Sequence, residues 1–308
     1  MKSKDYFECI CFFVENEIMQ ITIDQIEYDK NFIYLDYRPN NTSSLYWYIE
    51  ALFHKEVNKR KIIEKFNLLR KSLNYKPMKY LKNIDEPYVG VLISKKINNQ
   101  DWLSANKKIL KPIIVNNYYI YDENYYSSEK QRLIPIKINA SFAFGSGYHE
   151  TTKNCIHGIS LVTRKRQIKN FLDYGSGSGI LGICMNKKNQ KTKIKYIDND
   201  PTALQITKIN VRKNNLRTYG SIFHSGRDKN KYHKKHYYDL VVANILFRPL
   251  KYLVKDFSLL LKKYSFLIIS GILNNQKNYI INKYRKFNFY IYMINVQNNW
   301  VTIIFKKR

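Results

Sequence analysis

The fold is decided by the stretch Phe171-Leu-Asp-Tyr-Gly175-Ser-Gly177-Ser-Gly179-Ile-Leu-Gly182. Its apolar start predicts a strand, and the three alternate glycines predict a tight loop that leads into a helix. Glycines leave room for a ligand to approach the backbone amides and the helix N-terminus. A dinucleotide-binding loop requires glycine at position 180, where this chain has Ile180. The pattern therefore favours a nucleoside with a carboxylate-bearing side arm.

Helix and strand signals alternate from about residue 150 to the end of the chain. Helices are predicted at 151–165, 178–188, 201–214, 248–262 and 274–286, and strands at 168–174, 193–198, 220–224, 238–244 and 264–270. Short apolar strands that alternate with helices predict an α/β fold with a doubly wound parallel sheet over residues 136–308. Two closing strands, 288–295 and 300–305, predict an antiparallel hairpin at the edge of that sheet.

The first part of the chain has a different pattern. Residues 6–14 and 18–37 alternate Ile, Tyr and Phe and predict three strands, whereas the apolar residues of 45–73 recur at helical spacing. We therefore expect a small N-terminal α+β domain over residues 1–85. Residues 86–135 are interpreted as a connecting segment with a strand at 88–93, a helix at 101–111, a short β region from 113 and a Tyr-rich stretch from 122.

Two aspartates follow the second predicted strand of the α/β domain. Asp198 ends the strand, where a carboxylate is placed to accept hydrogen bonds from a ribose diol. Asp200 precedes Pro201, and Asp at the N-cap with Pro at the first helical position is typical of a helix start. We assign Asp198 to the ligand and Asp200 to structure.

A third element is the apolar strand that ends at Asn244, beside a turn that contains Pro249. The carboxyl ends of such strands line the ligand crevice. The amide of Asn244, or a neighbouring carbonyl, is suited to accept a hydrogen bond from an incoming amine and direct its lone pair at an electrophile. The alternative interpretation is that Asn244 only begins a loop.

Charge is distributed unevenly along the 308 residues. The chain has a net charge of +29. Residues 1–50 carry four basic and nine acidic groups, a net charge of −5, and the other 258 residues carry 49 basic and 15 acidic groups, a net charge of +34. An acidic N-terminal surface suits a basic partner, and a basic remainder suits RNA or a ribosomal surface. Lysines outnumber arginines by 41 to 12, so the alternative is a solvated lysine coat that reflects an AT-rich coding sequence.

The cysteines and histidines offer weaker candidates. Four scattered cysteines form neither a disulfide framework nor a zinc-knuckle spacing, and Cys9 and Cys11 share one strand face, which most simply indicates a core position. Lysines flank His233 and His236 and oppose metal binding, so a solvated loop is expected there. The chain starts with neither a signal-peptide pattern nor any run of about 20 apolar residues, so we expect a soluble cytoplasmic protein without a membrane segment.

Several motifs together resemble one family, the S-adenosylmethionine-dependent methyltransferases of large-subunit ribosomal protein eleven. They occur in family order over about 140–305, with Trp102 and Lys111-Pro112 resembling the stretch that precedes them. The motifs are Ala143-Phe-Gly-Ser-Gly-Tyr-His-Glu-Thr-Thr152, Asp173-Tyr-Gly-Ser-Gly-Ser-Gly-Ile-Leu, Ile197-Asp-Asn-Asp-Pro, Val242-Ala-Asn-Ile-Leu and Ser270-Gly-Ile-Leu. The first of them is more specific than any glycine motif, and the first 100 residues match only in size and element order.

The resemblance implies S-adenosyl-L-methionine as cofactor, no metal and a Rossmann-like methyltransferase domain. The implied cofactor contacts are Thr152, Gly175, Gly177, Asp198 and Asn244, with Asn244 also orienting the amine. The chain departs from the commonest family pattern at Ser146, Tyr148, Glu150 and Ser176. A serine in place of threonine keeps the hydroxyl, whereas the bulkier Tyr148 could alter the substrate channel. His149 either shapes the loop over the cofactor or is structural.

The activity that the resemblance implies is methylation of amino groups, on lysine side chains or the N-terminal amine, of a large-subunit ribosomal protein. The N-terminal domain would recruit that substrate, the basic half would contact ribosomal RNA, and the enzyme would be a monomer. Two alternatives stay open. One is a methyltransferase that acts on RNA or another protein, and the other is a non-catalytic ribosome or RNA binder with a degenerate methyltransferase fold.

Overall fold

The computed structural model describes residues 6–15, 17–27, 32–40, 43–53, 56–82, 87–98, 112–121, 132–138, 150–216 and 222–308. The chain divides into two compact units, Met1–Lys107 and Lys108–Arg308. None of the helices in the described residues is both long and apolar enough to cross a membrane.

The first unit is an α+β unit, as predicted. Its five-stranded sheet has the order β2-β3-β1-β5-β4, in which all pairs are antiparallel except β4 with β5. The strands are β1 (Tyr6–Glu15), β2 (Phe32–Asn40), β3 (Ser43–Phe53), β4 (Lys79–Tyr80) and β5 (Val91–Asn98). The helices are α1 (Met19–Glu27) and α2 (Lys59–Ser72), and Phe12 of β1 packs against Phe66 of α2 with ring centroids 5.2 Å apart.

Two elements of this unit differ from the prediction. Residues 19–27 form a helix instead of a strand, since Ile23 and Ile26 are buried whereas Ile21 is 47% exposed. Residues 43–53 form a strand instead of the start of a helix, because Trp47 and Ile49 alternate with less buried neighbours in β3. Both stretches have apolar spacings that fit either period, and packing in the folded chain decides between them.

The division between the units also lies elsewhere than expected. The sequence predicts that the first domain ends at residue 85 and that a connecting segment follows at 86–135. Instead β5 pairs with β1 over seven residues, which makes it part of the first sheet. In the second unit, β6 (Ile113–Val115), β7 (Tyr118–Tyr121) and β8 (Ile134–Lys137) form a small sheet. The hydroxyl of Tyr118 donates to the carbonyl of Cys184, 2.9 Å away, and joins that sheet to the unit's core. The expected helix at 101–111 lies outside the described residues, as does the Tyr-rich stretch up to residue 131.

The second unit has the predicted doubly wound α/β architecture. Its seven-stranded sheet has the order β11-β10-β9-β12-β13-β15-β14, with five parallel strands and an antiparallel β14–β15 hairpin at one edge. The strands are β9 (Asn170–Tyr174), β10 (Lys193–Asp198), β11 (Ile222–His224), β12 (Tyr238–Asn244), β13 (Leu261–Leu273), β14 (Phe289–Gln297) and β15 (Trp300–Lys307). The helices are α3 (Glu150–Lys165), α4 (Ile180–Lys188), α5 (Pro201–Lys213), α6 (Lys229–Tyr232), α7 (Phe247–Leu260) and α8 (Lys277–Arg285).

Side chains on the two faces of this sheet build two separate apolar cores. Along β9, Phe171 belongs to one core and Leu172 to the other, as expected of alternating side chains in a strand covered on both faces. Because β9 pairs in parallel with both β10 and β12, the carboxyl ends of these three strands meet at one edge of the sheet. Asp173, Asp198 and Asn244 lie at that edge.

Candidate functional site

The glycine loop between β9 and α4 is held in left-handed backbone conformations. Gly175, Gly177 and Gly179 have φ angles of +73°, +53° and +80°. The amides of Gly175 and Ser176 both donate to the carbonyl of Ile197 at the end of β10, at 2.8 and 2.9 Å. Non-glycine residues rarely adopt these φ angles, so the backbone by itself requires the alternate glycines.

Two of the glycines also accommodate Ile245, the residue that follows Asn244. A Cβ on Gly175 would overlap Cγ2 of Ile245, and a Cβ on Gly271, whose φ is +88°, would overlap the Ile245 carbonyl oxygen. Gly175 is predicted to make room for a ligand, and the structure adds that it also makes room for the Ile245 side chain. The two glycines therefore hold the backbone beside Asn244 from both sides. Gly271 lies in the motif Ser270-Gly-Ile-Leu, from which we predicted no role for this glycine.

The carboxylate of Asp198 ties the glycine loop to the next loop. One of its oxygens accepts from the amide of Gly177 at 2.8 Å and the other from the amide of Asp200 at 3.1 Å. Burial raises the pKa of Asp198, whose side chain is 9% exposed. Each carboxylate oxygen can accept a further hydrogen bond. Asp198 thus organises the backbone and keeps acceptor capacity for a ribose. Asp200 caps α5 as expected, because its carboxylate accepts from the amide of Thr202 at 2.8 Å.

Helix α5 supports the other side of the glycine loop. The hydroxyl of Thr207 donates to the carbonyl of Gly177 at 2.9 Å, and the amide of Asn210 donates to the carbonyl of Ser178 at 2.8 Å. Both side chains are fully buried. We did not identify either residue from the sequence, because a polar residue within an amphipathic helix gives no signal of its partner.

Thr152 and Asn244 are in direct contact, although 92 residues separate them. The Nδ2 atom of Asn244 donates to the hydroxyl of Thr152 at 3.1 Å. Thr152, in the first turn of α3, is 1% exposed, whereas Asn244 is partly exposed at the end of β12. Within the described part of the chain, Oδ1 of Asn244 makes no hydrogen bond. That oxygen can accept a hydrogen bond from a bound molecule.

Asp173 is a residue of this edge to which the sequence assigned no role. It is fully buried, and one carboxylate oxygen accepts from the amide of Gly182 in α4 at 3.0 Å. The other oxygen has no hydrogen-bond partner among the described residues. Burial raises the pKa of Asp173 to about 8. A buried acceptor without a partner, one residue before the glycine loop begins to turn, suits a donor or cation on a ligand.

This donor and acceptor set fits S-adenosylmethionine. The carboxylate of Asp198 matches a ribose diol, and the unpartnered oxygen of Asp173 matches a cationic amino group. Residues 143–149 of the most specific family motif, which include Ser146, Tyr148 and His149, lie outside the described residues, whereas residues 150–152 of the motif begin α3. Trp102 and Lys111 lie outside them as well.

The two histidines after α6 lie in a loop, as expected. His236 is exposed, with Nδ1 3.1 Å from the carbonyl of Leu261. His233 is part-buried instead of fully solvated, because its Nε2 lies 3.4 Å from the carboxylate of Asp256 on α7.

Fold and site together define a Rossmann-like methyltransferase. The parallel strands in the order β11-β10-β9-β12-β13, the glycine loop after β9 and the acidic residue that ends β10 are the features of that class. A family model for ribosomal protein L11 methyltransferase (PrmA) matches residues 9–308. The chain belongs to the ribosomal protein L11 methyltransferase family.

Individual relatives agree with this assignment. The ribosomal protein L11 methyltransferase of Agrobacterium fabrum is 30% identical over 226 residues, which cover 71% of this chain and 76% of the relative. That of Rhizobium etli (strain CIAT 652) is 31% identical over 218 residues, or 70% and 74% of the two chains. The crystal structure of a ribosomal protein L11 methylase from Lactobacillus delbrueckii subsp. bulgaricus superposes with a TM-score of 0.55 at 24% identity, over 64% of this chain and 100% of that one, and shows the shared fold.

Proposed function

We propose that this enzyme transfers methyl groups from S-adenosylmethionine to amino groups of ribosomal protein L11. The observation that carries the proposal is the Thr152–Asn244 contact at the carboxyl end of β12, which leaves the Asn244 carbonyl oxygen available beside the glycine loop. Membership of the L11 methyltransferase family supports the choice of substrate.

The cofactor would be held by residues at the carboxyl ends of three strands. Asp198 would accept hydrogen bonds from the ribose hydroxyls, Asp173 would accept one from the amino group of the methionine moiety, and Gly175, Gly177 and Thr152 would shape the backbone around the ligand. S-adenosylmethionine supplies a methyl group that is already activated on a sulfonium. The residues of this chain therefore need to bind and orient, and a well-held near-attack geometry contributes about 7–11 kcal/mol.

Asn244 would orient the acceptor amine. With Nδ2 engaged by Thr152, Oδ1 accepts an N–H of the amine and turns the nitrogen lone pair toward the methyl group. The amine must be neutral to react, and loss of water around a lysine that enters the site would disfavour its cationic form, whose ordinary pKa is about 10.4. This arrangement works without a dedicated base in the chain.

The first unit would recruit L11 through the acidic groups of its residues 1–50. Support comes from the net charge of −5 in residues 1–50, against +34 in the remainder. In the same proposal, the basic remainder contacts ribosomal RNA, and the enzyme acts as a monomer in the cytoplasm.

A methylation assay with purified L11 and isotopically labelled S-adenosylmethionine tests the activity. We expect label on lysine side chains or the N-terminal amine of L11, located by peptide mass spectrometry. L11 with acetylated amino groups is the matched control and should take up no label. Label that enters ribosomal RNA instead of L11, or equal labelling of acetylated L11, would contradict the proposal.

Recruitment is tested by removing residues 1–107, the whole first unit. A deletion that ended at residue 85 would leave β5 without its partner β1, so the longer deletion is the cleaner test. Cofactor affinity should be retained, because the second unit has its own two cores, and L11 methylation should be lost. Methylation by the full chain should also weaken with salt, since exposed charges are screened over about 10 Å at 0.1 M. Methylation of L11 by the truncated chain at the full rate would remove the recruiting role.

A further inference from the structure

The sheet of the first unit brings together three side chains that the proposed methyl transfer does not use. Cys9 and Cys11 lie two residues apart on β1 and so point to the same face. Glu50 of β3 is the direct cross-strand partner of Cys11. Strand pairing therefore places two thiols and one carboxylate side by side, from positions that the sequence separates by about 40 residues.

The distances between these groups are those of ligands around one ion. The two Sγ atoms lie 3.6 Å apart, and Sγ of Cys9 lies 3.4 Å from a carboxylate oxygen of Glu50. All three ligand atoms fall within 4.8 Å of one another. Zinc bonds of about 2.3 Å to sulfur and about 2.0 Å to oxygen, at tetrahedral angles, separate neighbouring ligand atoms by about 3.5–3.8 Å. The cluster needs little rearrangement to bind zinc.

The cluster joins two buried thiols to a part-buried carboxylate. Cys9 and Cys11 are 2% and 4% exposed and pack with Leu52, Val91 and Ile93. Glu50 is part-buried, and one of its carboxylate oxygens accepts a hydrogen bond from the Cys9 thiol. Among the described residues, no Lys, Arg or His forms an ion pair with Glu50. Burial agrees with the predicted core position of the two cysteines, and the carboxylate beside them supplies a third ligand atom.

A cation lies across the strand from the cluster, because Lys95 of β5 is the direct cross-strand partner of Cys9. Two thiolates and a carboxylate sum to three negative charges, which a divalent cation and this lysine would balance.

We propose that Cys9, Cys11 and Glu50 bind one Zn²⁺ ion, with a water molecule in the fourth position. On binding, each thiol loses its proton to solvent and forms a sulfur–zinc bond, while the carboxylate replaces a water of the hydrated ion. Thiolates select zinc over calcium and magnesium, which take oxygen ligands. This site is independent of the methyl-transfer chemistry, which has its residues in the second unit.

The test uses the full chain, reduced with a phosphine and stripped of metal by a chelator. Zinc titrated against a chromophoric chelator should bind with a stoichiometry of one per chain. Cobalt, used in place of zinc, should give the thiolate charge-transfer absorption and the visible bands of a tetrahedral site. Cys9→Ser and Cys11→Ser should each weaken zinc binding by about 100-fold and Glu50→Gln by about tenfold, because even changes beyond the direct ligands typically cost 10–100-fold.

Two matched variants control for the loss of a thiol and of a carboxylate. Cys155→Ser changes a buried cysteine of the second unit, and Glu56→Gln changes an exposed glutamate of the first. Both should bind zinc as the unmodified chain does. Failure of the unmodified chain to bind stoichiometric zinc, or undiminished binding by the Cys9→Ser/Cys11→Ser double variant, would overturn the proposal.

A measurement on the unmodified chain removes the dependence on correctly folded variants. Alkylation followed by peptide mass spectrometry gives the modification rate of each cysteine with and without zinc. We expect zinc to slow modification of Cys9 and Cys11 by at least about tenfold, with no change at Cys155 and Cys184. Equal rates at Cys9 and Cys11 in the two conditions would overturn the site.

Discussion

Two polar regions at the carboxyl edge of the second unit's sheet differ in how far the chain satisfies their hydrogen bonds. Around the glycine loop, Asp198 accepts from two backbone amides, and Thr207 and Asn210 each donate to a loop carbonyl. At the end of β12, Asn244 makes one hydrogen bond, to Thr152, and keeps its carbonyl oxygen available. In the function that we propose, the first region binds the cofactor and the second orients the acceptor amine.

The largest expected effect is a loss of stability from a substitution in the glycine loop. Gly175→Ala places a side chain at a φ of +73° and against Ile245. Left-handed backbone costs about 1–2 kcal/mol and overpacking about 1–3 kcal/mol, so we expect a loss of about 2–5 kcal/mol of unfolding free energy. Urea denaturation measures it. Gly226→Ala is the matched control, because a Cβ there makes only ordinary contacts, the nearest at 3.5 Å. Equal free energies of unfolding for the two variants would show that the glycine loop does not require glycine at position 175.

Asp198→Ala tests both functions that we assign to this carboxylate. Loss of charge-assisted hydrogen bonds costs about 1.5–3 kcal/mol, so cofactor affinity should fall by at least about tenfold. Because Asp198 also accepts from Gly177 and Asp200, the melting temperature should fall too. Calorimetric titration and thermal unfolding give the two quantities. A variant with a lower melting temperature and unchanged cofactor affinity would leave Asp198 with the structural role alone.

Thr152→Val tests the contact at the end of β12, because valine has nearly the shape of threonine but no hydroxyl. The variant removes the hydroxyl that fixes the Asn244 amide, while the backbone of α3 stays in place. We expect kcat to fall by about tenfold at saturating cofactor, since misplaced groups lose orientation more than binding. An unchanged kcat would show that Asn244 is oriented without Thr152.

Asp173→Asn tests the buried carboxyl group through its pH dependence. The raised pKa of about 8 means that folded Asp173 retains a proton which the unfolded chain releases above about pH 4. Its contribution to stability is complete below that lower value and declines as the pH rises toward about 8. Between pH 5 and 7 the unmodified chain should lose up to about 1.4 kcal/mol per pH unit from this group. The variant should show a flatter profile in urea denaturation. Parallel pH profiles for the two proteins would show that a group other than Asp173 causes the pH dependence of stability.

The second unit was largely predictable because its signals are local. The glycine spacing after Phe171, the Asp200-Pro201 helix start and the apolar strands each identify an element without reference to the rest of the chain. The family motifs then indicated Thr152 and Asn244, which the fold brings into contact.

The first unit was harder because its apolar spacings fit two periods. Leu45, Ile49 and Leu52 fit a helix, yet pairing of Ser43–Phe53 with two neighbouring strands makes it a strand. Three features depend on contacts between distant segments of the chain. They are the packing of Gly175 and Gly271 against Ile245, the carboxylate oxygen of Asp173 without a partner among the described residues, and the Cys9–Cys11–Glu50 cluster. Such contacts are set by strand register and packing, which a single sequence does not reveal.

Asn244→Ala tests the comparison most directly, because it removes the side chain that we expect to orient the acceptor amine and leaves the hydrogen bonds of the glycine loop unchanged. The measurement is the single-turnover rate of L11 methylation at saturating S-adenosylmethionine, together with the cofactor dissociation constant, and exposed Asn282→Ala is the control. We expect the rate to fall by about 100-fold with less than about a threefold change in the dissociation constant, because a misplaced reacting group costs rate more than binding. A rate that is fully restored at saturating cofactor would contradict the orienting role of Asn244.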